Sequence, residues 1–208
     1  MPKKTLIAVP CMDQVPALFA QSLALLQKPE NTTLVMKMGT LIYTSRHELA
    51  NMALDMDADY IFWMDSDMTF KQDCLIRMIQ TLEENGLDIL SGLYFRRVPP
   101  YTPVLFDRLE INGNICSWSE FKGLPEGLFE IGGCGFGCLL TKTDIFLDGL
   151  ARYGNMFTPI GNNGEDIAFC VRAREMGYKI MCDPSMVCGH IGYVTVDDRF
   201  YNAYNGGR

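Results

Sequence analysis

Tyr60–Phe70 reads YIFWMDSDMTF, and the abrupt change of character inside it decides the fold. Tyr60 to Met64 is an apolar and aromatic run with no charge, the composition of a strand covered on both faces. The run stops at Asp65, Ser66 and Asp67. On an extended chain, side chains two apart point the same way, so Asp65 and Asp67 are expected to project together past the strand end. Two carboxylates held that close repel each other and lose hydration unless a cation sits between them. Oxygen ligands at a strand end suit Mg²⁺ or Mn²⁺, cations that commonly bridge to phosphates.

Upstream of this stretch, Thr5–Val9 reads as a short buried strand ended by Pro10. Pro16 suits the first turn of a helix running to about Gln27, with Leu18, Ser22, Leu25 and Leu26 facing inward. Thr33–Met38 is the second strand. Ser45 and Glu48 match a capping box, which predicts a helix beginning at Ser45, with Leu49, Met52, Ala53 and Met56 at helical spacing. Downstream, a helix is expected from about Gln72 to Glu84, with Leu75, Met78, Ile79 and Leu82 inward, followed by a strand over Leu87–Phe95. Alternating strands and helices imply an α/β fold, a mostly parallel central sheet flanked by helices. In such sheets ligands gather beyond the carboxyl ends of the strands, where both the acid pair and the loop after Val9 lie.

From Arg96 to Phe129 the pattern changes. Pro99, Pro100 and Pro103 cluster, and a hairpin turn around Gly113 predicts a small antiparallel insertion. Gly132–Gly137 (GGCGFG) then leads into a strand. Because it precedes a strand rather than a helix, it is no dinucleotide fingerprint. A helix is expected over Thr143–Tyr153. The loop Gly161–Gly164 precedes Glu165 and Asp166, which open a helix to Met176, and a helix start favours the carboxylate form. Lys179–Cys182 reads as a strand and Asp183–Pro184 as a turn. His190 lies in the segment Gly189–Gly192, where glycines permit close backbone approach, and is a candidate metal ligand.

The 208 residues suffice for one domain with a sizeable core, 48% of them hydrophobic. A net charge of −7 argues against a broad nucleic-acid or anionic-membrane surface. No stretch reaches transmembrane length, and MPKKTLIAVP is too short in its apolar part for a signal peptide. The eight cysteines do not fall into metal-binding pairs, so they read as reduced thiols of a cytoplasmic protein.

Taken in order, Pro10 at the end of the first strand, Arg46 in SRH, Asp65-Ser66-Asp67, Gly132–Gly137, Glu165-Asp166 and His190 resemble the nucleotide-sugar glycosyltransferases of the GT-A fold, close to family 2. The resemblance covers residues 5 to 192. It implies one domain over residues 1–208, with a nucleotide-binding half at 1–95 and an acceptor half at 96–192; the tail at 193–208, which carries Tyr193, Phe200, Tyr201 and Tyr204, is a candidate lid over the site. It implies a nucleoside-diphosphate sugar, a UDP- or GDP-sugar, as donor and a glycan or small-molecule hydroxyl as acceptor. Donor-binding residues would be Pro10, Met12, Arg46, Asp65 and Ser66. Asp65, Asp67 and His190 would hold Mn²⁺ or Mg²⁺. Asp166 would deprotonate the acceptor with inversion at the anomeric carbon, and Glu165 would bind the acceptor or support the site. Two other classes compete. A sugar nucleotidyltransferase is expected to carry a glycine-rich basic loop after the first strand, which PCMDQVP lacks. A non-catalytic nucleotide-sugar binding module would bind donor without turning it over.

Overall fold

Every residue of the opening strand and of Tyr60–Met64 is buried, and the two lie side by side in the middle of one sheet. A computed structural model describes residues 3–39, 41–112, 115–121 and 123–192. In chain order the elements are β1 (Thr5–Cys11), α1 (Ala17–Leu25), β2 (Thr32–Met38), α2 (Ile42–Asp55), β3 (Tyr60–Met64), β4 (Met68–Thr69), α3 (Cys74–Glu84) and β5 (Ile89–Leu93). There follow β6 (Leu105–Asn112), β7 (Ile115–Glu120), β8 (Phe129–Ile131), β9 (Gly133–Cys134), β10 (Cys138–Lys142), α4 (Asp144–Tyr153), α5 (Glu165–Glu175), β11 (Ile180–Val187) and β12 (Gly189–His190). No helix of the described residues is long and apolar enough to cross a membrane.

The main sheet has the order β2-β1-β3-β10-β5-β11-β8. β1 is parallel to β2 and β3, and β5 to β11; β10, inserted between β3 and β5, is antiparallel to both. Five strands therefore run one way, and the mostly parallel α/β sheet read from the sequence is present. Period-two alternation sends Ile61 and Trp63 of β3 to one face, and Tyr60, Phe62 and Met64 to the other. The first face packs α2, α4 and α5; the second packs α1 and α3. This double coverage is why the strands read as continuous apolar runs. The expected antiparallel insertion is the small sheet β7-β6-β9, in which Asn112 pairs with Ile115 around a turn that lies outside the described residues. The proposed lid, residues 193–208, also lies outside them.

Four local expectations fail. β1 does not end at Pro10 but runs through it to Cys11, paired with Met38 of β2. Of the expected inner face of α1 only Leu26, just past the helix end, is buried; Leu18 and Leu25 are exposed, and Phe19 and Leu23, an i,i+4 pair shifted by one from Leu18 and Ser22, reach the core. α2 begins at Ile42 rather than after a Ser45 cap: Ser45 lies one turn inside, its N–H donates to Leu41 O at 3.1 Å, and it is buried. A Cβ on Gly39 would come within 2.5 Å of Ser45 Oγ, so close packing there overrides the capping signature. Asp183–Pro184 does not end a strand, since β11 continues to Val187 through a bulge.

Candidate active site

The carboxyl ends of β1 and β3 open onto a cleft of about 390 Å³. Parity along β3 explains its first anchor. Residues 61, 63 and 65 share a face, and α2 covers that face, so Asp65 meets the helix. There Arg46 Nη2 donates to Asp65 Oδ1 at 2.7 Å, and Arg46 Nε donates to Glu165 Oε1 at 3.1 Å. The guanidinium also lies over the Phe136 ring, 4.7 Å from its centroid. Burial opposes the charge of Arg46, but the two carboxylates outweigh it and raise its pKa. Its Nη1 is buried without a hydrogen-bond partner among the described residues. That unpaired buried donor is costly, and the two carboxylates and the ring offset it.

Asp67 does not follow Asp65. The chain turns at Ser66, with Met68 N donating to Asp65 O at 3.3 Å, so the strand is no longer extended and the two carboxylates reach different partners. Asp67 Oδ2 accepts from Arg97 Nη1 at 2.7 Å and lies 3.5 Å from His190 Nε2. β12 pairs with β4, setting His190 opposite Met68, and Ile191 N–H donates to Asp67 O at 2.8 Å. His190 Nδ1 lies 2.8 Å from Phe95 O, a contact that orients the ring with Nε2 toward Asp67. Burial works against ionised Asp67, yet His190 and Arg97 hold its pKa below the usual carboxylate range. The hydrogen bond to Asp67 raises the pKa of His190 above its ordinary value.

Asp166 stands at the first turn of α5, where its Oδ1 accepts from the Ile167 N–H at 2.8 Å. Burial, and next the charge of Glu165, push its pKa up to about 6. The glycine segment has a packing reason. A Cβ on Gly135 would fall 2.1 Å from the Tyr94 hydroxyl and one on Gly137 2.7 Å from its ring, and Gly137 N–H donates to that hydroxyl at 3.1 Å. Tyr94 in turn meets the His190 ring edge to face, at 5.5 Å between centroids.

Residues 50–147 match the family model described as glycosyl transferase family 2, a match that takes in Asp65–Asp67 and Gly132–Gly137. The fold is similar over 91% of this chain to the crystal structure of A197 from STIV, with a TM-score of 0.65, 19% identity and 86% of that chain covered. It is also similar, over 93% of this chain, to the structure of GalNAc-T7 with UDP, GalNAc and Mn²⁺, at a TM-score of 0.63 and 8% identity. This chain has the GT-A fold, and residues 50–147 of it are similar to glycosyl transferase family 2. It spans 44% of the GalNAc-T7 chain. No curated protein matches it by sequence.

Of the expected site residues, Pro10, Met12, Arg46, Asp65, Ser66, Asp67, Glu165 and His190 all line the one cleft. Asp166 is not among its lining residues; it sits beside Glu165, which is. Arg97 also lines the cleft; in sequence Arg96-Arg97 is compatible both with a solvated surface pair and with a contact to a bound diphosphate or acceptor. Only its position at the exit of β5, level with the strand ends that carry the acids, distinguishes it in sequence.

Proposed function

We propose that this chain is a metal-dependent glycosyltransferase that moves a sugar from a UDP- or GDP-sugar to a hydroxyl acceptor, with inversion. The observation that carries the reading is the convergence on one cleft of the β1 end, Asp65, Asp67, His190 and Arg46. The chemistry of the donors suits a divalent cation, although the ligand atoms of Asp65, Asp67 and His190 do not all lie within 4.8 Å of one another, so the three would have to draw together around it. Asp67 is kept ionised, His190 is oriented through Phe95 O, and the arginine contacts of Asp65 and Asp67 each fall on a single carboxylate oxygen. Asp65, Asp67 and His190 would hold Mn²⁺ or Mg²⁺, which supplies Lewis-acid stabilisation of the departing diphosphate.

The residues of the chain do the remainder. Pro10 and Met12 wall one side of the donor, with Ser66 between the acids. Arg46 braces Asp65 from behind. Arg97 is a second cation at the same rim, able to leave Asp67 for a phosphate oxygen. Glu165 positions Arg46. Asp166, with a pKa near 6, is ionised at neutral pH while remaining a better base than an ordinary carboxylate, and it takes the acceptor proton. An acceptor oxygen activated on the face opposite the leaving diphosphate inverts the anomeric carbon.

The test is release of nucleoside diphosphate from a panel of sugar nucleotides with Mn²⁺ or with chelator. Slow release that needs Mn²⁺ and is lost in Asp67→Asn supports the reading. Tight donor binding without release under any acceptor or metal identifies a binding module instead.

A further inference from the structure

Behind the cleft, on the face of the sheet covered by α1 and α3, three cysteines from distant parts of the sequence converge. The sulfurs of Cys74, Cys138 and Cys188 all lie within 4.8 Å of one another, and all three residues are buried. Cys74 Sγ and Cys138 Sγ are 4.0 Å apart, and Met78 Sδ is 3.5 Å from Cys138 Sγ. We propose that Cys74, Cys138 and Cys188 form a site for one thiophilic d¹⁰ cation, Zn²⁺ or Cu⁺, with Met78 as an adjacent soft ligand. This inference is independent of the glycosyltransferase reading.

The geometry supports it. Sulfurs bound at about 2.3 Å to one cation in a trigonal plane are about 4.0 Å apart, and in a tetrahedron about 3.8 Å. Thiolate and thioether together select zinc and monovalent copper over hard cations. Cys74 opens α3, where the helix dipole favours a thiolate. Buried Cys170, on α5 at the opposite face of the main sheet, behaves differently. Cys170 Sγ lies 3.4 Å from both the N–H and the carbonyl of Cys134, so its thiol is spent on backbone. Cys138 instead turns toward sulfur on two sides. Among the described residues this is the one set of three metal-capable side chains at such spacing.

Binding exchanges three S–H bonds for three metal–sulfur bonds and releases three protons to solvent, with no change of oxidation state. The site would tie together the start of α3, the start of β10 and the junction between β11 and β12. That junction matters for the cleft: Cys188 N–H donates to Leu93 O at 2.8 Å, and the next two residues are Gly189 and His190.

The test uses full-length protein, purified reduced and without chelator, and also refolded with one equivalent of Zn²⁺, Cd²⁺ or Cu⁺ because the sulfurs are buried. Metal content, sulfur-to-metal charge-transfer absorption and proton release are measured, with circular dichroism to verify folding. Expected are one cation per chain, three protons released, a raised melting temperature, and loss of all these in folded Cys138→Ser and Cys188→Ser but not in Cys170→Ser. Retention under competition by chelators of the two ions tells zinc from copper. The proposal is overturned if refolded parent holds no cation, if the folded serine variants hold it as well as the parent, or if Cys170→Ser loses it. Should Cys138→Ser fail to fold, Cys188→Ser and the parent's metal content decide.

Discussion

Asp65 and Asp67 are similarly exposed and two residues apart, yet the arginines that meet them are unlike. Arg46 keeps 3% of its side chain accessible and is clasped by two carboxylates and an aromatic ring. Arg97 keeps 47%, and Asp67 shares it with the backbone of Ile191 at 3.5 Å. In low dielectric, removing one partner of an ion pair leaves a charge that water cannot reach, whereas at the rim water and salt replace the partner. The inner arginine is therefore held as part of the scaffold, and in the proposed function the outer one is the side that exchanges ligands.

The same substitution at both arginines tests this contrast. Arg46→Met is expected to cost about 3 kcal/mol of stability, since Asp65 and Glu165 lose their shared cation. Chemical denaturation measures it, and a loss no greater than that of Arg97→Met would break the comparison. Next in size, Asp166→Asn should slow transfer by at least about 10²-fold, roughly 2.7 kcal/mol of barrier, with donor binding retained. Because its pKa is raised to about 6, parent activity should climb as pH passes through 6 and level off above, the base working only when ionised. A pH–rate profile of parent and variant checks both, and a parent profile already flat from pH 5 would remove Asp166 from the role. Smallest is Arg97→Met, expected to change stability by under about 1 kcal/mol. Its effect belongs to ligands: isothermal titration with Mn²⁺ should show binding to Asp67 no weaker than in the parent, while affinity for nucleoside diphosphate falls.

The sheet was legible because β1, β3 and β5 are apolar runs buried on both faces, and the cleft because acids follow such a run. What escaped depends on contacts between distant segments. The start of α2 answers to the packing of Ser45 against Gly39, not to its own capping signature. The parting of Asp65 and Asp67 follows from a turn at Ser66 that two-residue periodicity cannot register. Arg97 meets Asp67 across 30 positions, and Cys74, Cys138 and Cys188 converge from segments with no shared spacing.

The central claim is that a divalent cation at the outer acid joins a nucleoside diphosphate to this cleft. Thermal melting with UDP, GDP, CDP and dTDP, each with Mn²⁺ and with chelator, tests it directly. One base should raise the melting temperature only when Mn²⁺ is present, by roughly 5–10 °C at about 100 times Kd, and Asp67→Asn should abolish the rise. An equal rise in chelator, or an undiminished rise in Asp67→Asn, would contradict the account.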